Sequence, residues 1–148
     1  MKTFFLLSVV ALLPVILSAL IYLAERTKAI SKIPYAVRQI IIGILFGGLA
    51  ILGTEFGIKT DGAIINARDA SPICAGLLFG APAGIIAGVI GGVERWFAVL
   101  WGAGGYTRLA CSISTVLAGV FAAVLRKFMF DNKKPKWYYC LATATITE

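Results

Sequence analysis

Residues 73–93 read ICAGLLFGAPAGIIAGVIGGV, the most apolar stretch of the chain, and they decide its fold class. Glycine recurs there at every fourth position, at Gly76, Gly80, Gly84, Gly88 and Gly92. Small residues at this spacing let helices approach closely in lipid, where packing rather than water drives association. The stretch therefore predicts helices packed tightly inside a membrane, with these glycines and Pro82 as the packing residues.

The overall composition also indicates an integral membrane protein. Of the 148 residues, 59% are apolar and only 14% are charged, whereas a soluble domain carries about a quarter charged residues. The net charge is +7, and nine of the fourteen Lys and Arg residues lie in two short stretches, four in 25–38 and five in 126–136. Cytoplasmic loops are enriched in this way. We find no soluble basic domain and expect no nucleic-acid partner.

The residue types argue against catalysis and against a metal site. Histidine is absent, which removes the commonest general base and a common metal ligand. The three cysteines, Cys74, Cys111 and Cys140, lie in apolar runs and form no Cys-x-x-Cys pair. Neither a disulfide framework nor a zinc site is therefore predicted. We expect this segment to be no enzyme and to need no cofactor.

Further apolar runs divide the chain into membrane segments. Residues 3–24 are long enough to cross a bilayer. We interpret them as a retained helix kinked at Pro14, with a cleaved signal peptide as the alternative. Runs 39–54 and 109–125 predict two more helices, while 55–72 is polar, rich in turn residues, and expected to be a loop.

A last apolar segment opens at Trp137, in an aromatic belt typical of a membrane interface. It continues for only about ten residues, against about twenty needed to cross a bilayer. We therefore expect the natural protein to continue beyond this segment.

The distribution of charge bears on how residues 73–93 enter the membrane. With 25–38 in the cytoplasm, a single crossing would leave 126–136 outside, against the positive-inside tendency. A re-entrant hairpin broken near Gly80-Ala81-Pro82 would return that stretch to the cytoplasm. The unbroken four-residue period favours one kinked helix instead. We favour the hairpin, whose irregular backbone needs protein or a cavity around it.

Two arginines flank the glycine-rich stretch, Arg68 before it and Arg95 after it. Arginine beside a membrane segment is costly unless it faces a cavity, a partner or a ligand. A guanidinium can bind a carboxylate through two parallel hydrogen bonds. The alternatives are an interfacial arginine that reaches lipid headgroups and an Arg95 paired with Glu94. Asn66 is a candidate amide donor to a ligand, or a turn-capping residue.

Cys111 and Ser114 lie three residues apart on one face of the run 109–125. Serine in a membrane helix often bonds its own backbone, and cysteine is often a small buried apolar residue. Their spacing alone does not assign them to a binding site.

A series of short motifs occurs in order between residues 36 and 126. They are Gly53-Thr54-Glu55-Phe56-Gly57, Ile65-Asn66-Ala67-Arg68, the glycine ladder through Gly80-Ala81-Pro82, Glu94-Arg95-Trp96, Gly104-Gly105 and Ala110-Cys111-Ser112-Ile113-Ser114-Thr115. In combination this series resembles the LytS–YhcK-type multi-transmembrane sensor family. The resemblance implies a membrane input module of bacterial receptors, fused to a cytoplasmic histidine kinase or to a diguanylate cyclase of the GGDEF type.

The resemblance also implies a ligand and a site. Some kinases of this kind respond to extracellular pyruvate, and their ligand contacts carry over by motif to Arg68, Arg95, Cys111 and Ser114. Two guanidinium groups would neutralise a carboxylate, and a thiol or hydroxyl group could meet a keto oxygen.

The chain departs from the kinase members in one region. Glu94-Arg95-Trp96 stands where those members often have His-Arg-Tyr, and 97–101 has the character of an insertion. This longer, tryptophan-rich form resembles the cyclase-linked subgroup.

We therefore expect an all-α, polytopic bundle with a glycine-rich broken helix, and residues 1–148 as one sensory module in the bacterial inner membrane. The expected partners are a small anion such as a carboxylate, the lipid bilayer, a second copy of the chain, and an output domain or response regulator. A transporter or substrate-capture subunit is the alternative, because broken Gly/Pro helices also build transporter sites. A purely structural membrane subunit, with both arginines paired to protein or lipid, is another.

Overall fold

The computed structural model describes residues 2–26, 33–60, 63–65, 67–101, 105, 107–131, 133–136, 139 and 142. The helices are α1 (Lys2–Arg26), α2 (Tyr35–Glu55), α3 (Ala70–Cys74), α4 (Ala81–Phe97) and α5 (Arg108–Phe128). α3 continues as a π-helical segment, Ala75–Phe79, and a 3₁₀ turn, Ala98–Trp101, follows α4. Within the described residues the fold is a helical bundle, which confirms the predicted class.

The loop predicted over 55–72 is more ordered than expected. It holds a small antiparallel hairpin of β1 (Ile58–Thr60) and β2 (Ala63–Ile65), with Ile58 paired to Ile65. Isoleucine and threonine favour extended backbone, and the Asp-Gly pair between the strands is a typical hairpin signal. Strands of three residues are too short to show a clear alternation of polar and apolar positions.

Two of the described helices, α2 and α5, are long and apolar enough to cross a membrane, judged by length and composition. They cover the predicted runs 39–54 and 109–125. Their outward faces carry exposed apolar side chains, among them Leu45, Leu117 and Phe121. Such faces suit contact with lipid.

α1 runs unbroken through Pro14, with Pro14 inside the helix. The Ser18 hydroxyl donates a 2.6 Å hydrogen bond to the Pro14 carbonyl. Further along, Ile21 enters the core beside Phe46 and Phe79. α1 therefore packs on the rest of the bundle.

The glycine-rich stretch is broken at Gly80, as predicted. Gly80 has φ of 152° and ψ of 158°, a conformation that favours glycine. Its N–H closes the π-helical segment by donating to the Ala75 carbonyl at 3.3 Å, and its own carbonyl accepts from Gly84 at 3.2 Å to begin α4. Pro82 lies in the first turn of α4, where its missing N–H costs no helical hydrogen bond.

The two arms on either side of Gly80 fold back on each other. Gly76 and Gly84, each four residues from the break, touch directly: a Cβ added to Gly84 would lie 2.5 Å from the Gly76 Cα. In a continuous helix eight residues would separate them by about 12 Å. The stretch is therefore a hairpin and not a single kinked helix.

α4 packs closely against both of its long neighbours. Against α5, an added Cβ on Gly88 would lie 2.9 Å from the Thr115 carbonyl oxygen, and one on Gly92 would lie 2.8 Å from that of Ser112. Residue numbers increase along α4 while those of the contacted residues decrease along α5, so the two helices are antiparallel. Gly76 on the other arm meets the Ala122 side chain.

The contact between α2 and α4 runs in the parallel sense. Gly43 faces Ile86 and Gly47 faces Ile90, each with an added Cβ within 2.8 Å of the isoleucine. Gly43 and Gly47 of α2 are therefore packed against α4 of the same chain.

Buried apolar side chains form two groups around the hairpin. The first joins α1, α2, the π-helical segment and α4 through Ile21, Ile42, Phe46, Cys74, Ala75, Phe79, Ala83 and Ala87. The second joins the hairpin to α5 through Ile73, Leu77, Ala118 and Ala122. The hairpin thus lies between α2 and α5. Its π-helical segment and the break at Gly80 are largely buried in protein, as irregular backbone at membrane depth requires.

The two basic stretches meet at one end of the bundle, which we call the inner end. Glu25 of α1 pairs with Arg38 of α2 at 3.6 Å and also with Lys134, which follows α5. The hairpin predicted from the sequence would place 25–38 and 126–136 on the same side of the membrane. The contacts of Glu25 with Arg38 and Lys134 agree with that prediction. The positive-inside tendency predicts that this end faces the cytoplasm.

The tip of the hairpin lies near the inner end and is held by Gln39. The buried Gln39 amide donates to the Phe79 carbonyl at 2.9 Å and accepts from the Ala83 N–H at 3.3 Å. One side chain thus bonds backbone groups on both sides of the break at Gly80. From α5, Arg126 donates to the Leu77 carbonyl at 2.7 Å.

Candidate functional site

Both predicted arginines lie at the opposite end of the bundle, which we call the outer end. Arg68 precedes α3, with its Cα close to Gly53 near the end of α2, and Arg95 lies in the last turn of α4. The exposed fractions are 2% for Arg68 and 0% for Arg95. A buried guanidinium is costly unless other groups pair with it, so the surroundings of each arginine define the site.

Arg68 bonds to α5 and to its own neighbour in sequence. Its Nε donates to Thr115 Oγ1 at 2.7 Å and lies 3.4 Å from Asp69 Oδ1, and its Nη2 donates to the Cys111 carbonyl at 3.1 Å. These contacts fix the guanidinium against one face of α5.

Asp69 ties the same face of α5 to the start of α3. Its Oδ2 accepts from the Ser114 hydroxyl and its Oδ1 from the Thr115 hydroxyl, both at 2.7 Å. Thr115 has one proton, so its bond to Asp69 alternates with a 3.0 Å bond to the Cys111 carbonyl. Arg68, Asp69 and Thr115 form one connected polar cluster with Ser114 at its edge.

Arg95 lies at the outer end, between the last turn of α4 and the start of α5. Its Nη2 donates to Thr107 Oγ1 at 3.3 Å, just before α5 begins. The guanidinium of Arg108, in the first turn of α5, stacks over the Trp96 ring at 3.9 Å from the centroid, a favourable cation–π contact. The end of α4 and the start of α5 are thereby held together by two arginines.

Three of the predicted site residues are brought together. Arg68 bonds to Cys111 directly and to Ser114 through Asp69. Cys111 takes part through its backbone carbonyl. Arg95 lies at the same end, and its partner Thr107 precedes Cys111 by four residues, about one helical turn. Asn66 lies outside the described residues, and the ligand-binding role of all five residues stays a prediction.

Sequence reasoning missed Asp69 and Thr115 as parts of the cluster around Arg68, and Thr107 as the partner of Arg95. Asp69 follows Arg68 directly, and Thr115 lies one helical turn after Cys111. Those spacings are the signals that could have found them. Cys74 is buried and Cys111 half-buried, and the described residues hold no group of three or more acidic, His or Cys side chains suited to a metal ion.

A groove of ≈ 550 Å³ opens beside the polar cluster. Asp69 and Ser114 line its polar end, and it continues along the outward face of α5 past Leu117, Phe121 and Val124. The groove reaches the cluster from the α5 side.

Comparison with known sequences identifies the family. The model of the family described as 5TMR of 5TMR-LYT matches residues 21–148. The chain belongs to this family. Sensor histidine kinase YpdA of Escherichia coli (strain K12) is 31% identical over 110 residues, which is 74% of this chain and 19% of that protein.

Two other relatives agree with this assignment. Sensor histidine kinase BtsS of Escherichia coli (strain K12) is 34% identical over 86 residues, 58% of this chain and 14% of its own length. Sensor protein LytS of Bacillus anthracis is 34% identical over 85 residues, 56% of this chain and 14% of its own length. No solved structure matches the chain.

The chain thus spans less than a fifth of the curated relatives it matches. It corresponds to their sensory membrane module, and their kinase activity resides in other domains. Family membership makes this segment a membrane sensor domain of the type found in two-component signalling.

Proposed function

We propose that this segment is the input module of a bacterial receptor and binds a small carboxylate at its outer end. The observation that carries the proposal is the burial of Arg68 and Arg95 together at that end. Cys111 and Ser114 lie beside Arg68, as the family resemblance leads us to expect. The compound that the resemblance suggests first is pyruvate.

The mechanism we propose uses the guanidinium groups as carboxylate donors. Arg68 is already oriented by Thr115 and the Cys111 carbonyl, so little side-chain freedom is lost when a ligand binds. A carboxylate that draws Arg68 towards itself competes with Asp69 for the same guanidinium. Binding then alters the contact between α3 and α5.

Signal transmission in this proposal runs through the hairpin. The hairpin begins at the ligand end, beside Arg68, and its tip contacts Gln39 near the inner end. A ligand shifts the balance between two helix packings only if it binds one of them more tightly. We infer that carboxylate binding favours one position of the hairpin, which Gln39 and Arg126 transmit to α2 and α5.

The proposal includes the rest of the receptor. We expect the module to be a multi-pass inner-membrane domain that controls a histidine kinase acting on a response regulator. A diguanylate cyclase is the alternative output. The named sensor histidine kinases among the relatives support the kinase. We expect a homodimer whose interface lies outside the glycines of α4, because contacts within the chain fill them.

Calorimetric titration of the purified protein in detergent with a panel of small carboxylates, pyruvate included, tests the proposal. We expect saturable binding by the parent protein and its loss in Arg68→Ala and Arg95→Ala. Arg68→Lys keeps the charge but lacks the two-pronged donor geometry, so it separates ligand recognition from folding. The matched control is Lys133→Ala, an exposed cation at the inner end, which should bind normally.

Two results would contradict the proposal. One is the absence of any carboxylate binding by a folded parent protein. The other is unchanged binding in folded Arg68→Ala and Arg95→Ala, which would assign both arginines to structure alone.

A further inference from the structure

The charged groups of the outer end balance one another. Arg68 forms an ion pair with Asp69 at 3.4 Å. Glu94 lies within electrostatic range of Arg68, Arg95 and Glu55. Counted over the helices and the Arg68–Asp69 segment, three arginines and three carboxylates lie at the outer end, because Arg108 begins α5 and Glu55 ends α2. A ligand with a net negative charge would add an uncompensated charge to a neutral, poorly solvated cluster.

Glu94, which precedes Arg95 at the end of α4, has hydrogen-bonding capacity that the described residues do not fill. Both carboxylate oxygens are buried, and neither accepts a well-formed hydrogen bond from the residues that the structure describes. The Thr54 hydroxyl is within hydrogen-bonding reach of the carboxylate, but its one proton is directed to the Ala50 carbonyl at 3.3 Å. A carboxylate only accepts hydrogen bonds and has about four acceptor positions. The Glu94 carboxylate can therefore accept hydrogen bonds from a donor group of a ligand.

We propose that Glu94 makes the site selective for carboxylates that carry an ammonium group on the adjacent carbon. This inference rests on the proposed function and specifies its ligand class. The ligand carboxylate binds to Arg68 and Arg95, and the ammonium group donates to Glu94. Such a ligand is neutral overall and matches the neutral cluster, while each of its charged ends meets an opposite charge. Charge-assisted hydrogen bonds of this kind are roughly twice as strong as neutral ones.

A keto acid fits the same arginines less well. Its keto oxygen is an acceptor and would face the acceptor oxygens of Glu94 instead of a donor. A hydroxy acid is intermediate because its hydroxyl group donates without a charge. Glu94 therefore sets the order in which otherwise similar carboxylates bind.

Four carboxylates of three carbon atoms test this order: propionate, pyruvate, lactate and L-alanine. They differ only in the group on the carbon next to the carboxylate. We expect calorimetry on the parent protein to rank L-alanine about tenfold tighter than pyruvate, with lactate between them. Glu94→Gln preserves the side-chain shape and removes the charge, so it should weaken L-alanine binding and abolish its advantage over pyruvate.

Asp131→Asn is the matched control, since it removes an exposed carboxylate that follows α5 at the inner end, far from Glu94. It should leave the ranking unchanged. Thermal unfolding in detergent checks that both variants are folded. Equal or tighter binding of pyruvate than of L-alanine by the parent would overturn the inference. So would a ratio of the two affinities that Glu94→Gln leaves unchanged.

The inference and the proposed function fail in different ways. If pyruvate binding is lost in Arg68→Lys, and Glu94→Gln leaves the ratio of the L-alanine and pyruvate affinities unchanged, the receptor proposal stands and the role of Glu94 is wrong. If none of the four carboxylates binds to the folded parent protein, both are wrong.

Discussion

Arg68 Nε donates a 2.7 Å hydrogen bond to Thr115 Oγ1, across 47 positions of sequence. This bond joins the start of the hairpin to the middle of α5, and both groups are buried. A ligand that engages Arg68 therefore acts on a contact between two helices.

Replacing Thr115 by valine keeps the side-chain shape and removes the hydroxyl. Arg68 then loses its shortest described partner and Asp69 loses one donor. We expect the free energy of unfolding to fall by about 1–3 kcal/mol, the cost of leaving buried polar groups unsatisfied. Thermal and chemical unfolding in detergent measures the loss.

The control for Thr115→Val is Ser114→Ala, which removes a single bond to Asp69 at an exposed position. It should lower the free energy of unfolding much less than Thr115→Val does. Equal stability of Thr115→Val and the parent protein would show that the bond to Arg68 contributes nothing.

Gly84→Ala should disrupt the hairpin, because its methyl group would lie 2.5 Å from the Cα of Gly76 and 2.9 Å from its N. Backbone cannot yield as the end of a flexible side chain can, and overpacking typically costs about 1–3 kcal/mol or more. Gly48→Ala provides the comparison, since its methyl group would meet no atom within 4 Å in the part of the chain that the structure describes.

We expect Gly84→Ala to lower the yield of folded protein and its thermal midpoint, measured by size-exclusion chromatography and unfolding in detergent. Gly48→Ala should match the parent protein or exceed it slightly, because alanine favours helix over glycine by about 1 kcal/mol. Similar behaviour of the two variants would contradict the close packing of the arms.

Gln39→Leu removes the amide that bonds to Phe79 and Ala83. Two backbone groups beside the break would then be buried without this partner. We therefore expect the free energy of unfolding to fall by about 2–4 kcal/mol, summed over the two groups. Ile40→Leu, at an exposed neighbouring position, is the control and should be neutral.

Hydrogen–deuterium exchange distinguishes this effect from general instability. In Gln39→Leu we expect faster exchange at Gly84 and its neighbours, whose N–H groups begin α4, with little change in the middle of α5. Uniformly faster exchange throughout the chain would show that Gln39 stabilises the whole fold and not the hairpin tip in particular.

The hairpin also predicts which side of the membrane each end occupies. A cysteine at Lys133→Cys should react with a membrane-impermeant maleimide only after cells are permeabilised. A cysteine at Gly105→Cys, exposed beside the start of α5, should react in intact cells. The parent protein, with its native cysteines, gives the background. Labelling of Lys133→Cys in intact cells would contradict a cytoplasmic inner end.

The architecture was largely predictable from sequence because its determinants are local. The glycines at four-residue spacing and the Gly80-Ala81-Pro82 break are consecutive features, and charge in 25–38 and 126–136 decided between a hairpin and a single span. The helices α2 and α5 followed from apolar runs of sufficient length. The β1–β2 hairpin was missed because each strand has only three residues.

The polar contacts were less predictable because their partners are distant in sequence. Gln39 bonds to Phe79, 40 positions away, and Arg126 to Leu77, 49 positions away. Arg126 reads as the first residue of a basic loop, yet its side chain is buried against the π-helical segment. Glu94 reads as the ion partner of its neighbour Arg95, and only the structure shows its two buried oxygens facing inward.

The bond from Arg126 to the Leu77 carbonyl bears on the order in which the protein is made. Ala70–Phe79 is too short to cross a bilayer by itself, and the Leu77 carbonyl near its end needs a partner that lipid does not supply. That partner, Arg126, is synthesised 49 residues later. This contact of the hairpin therefore forms only after nearly the whole of α5 has been synthesised.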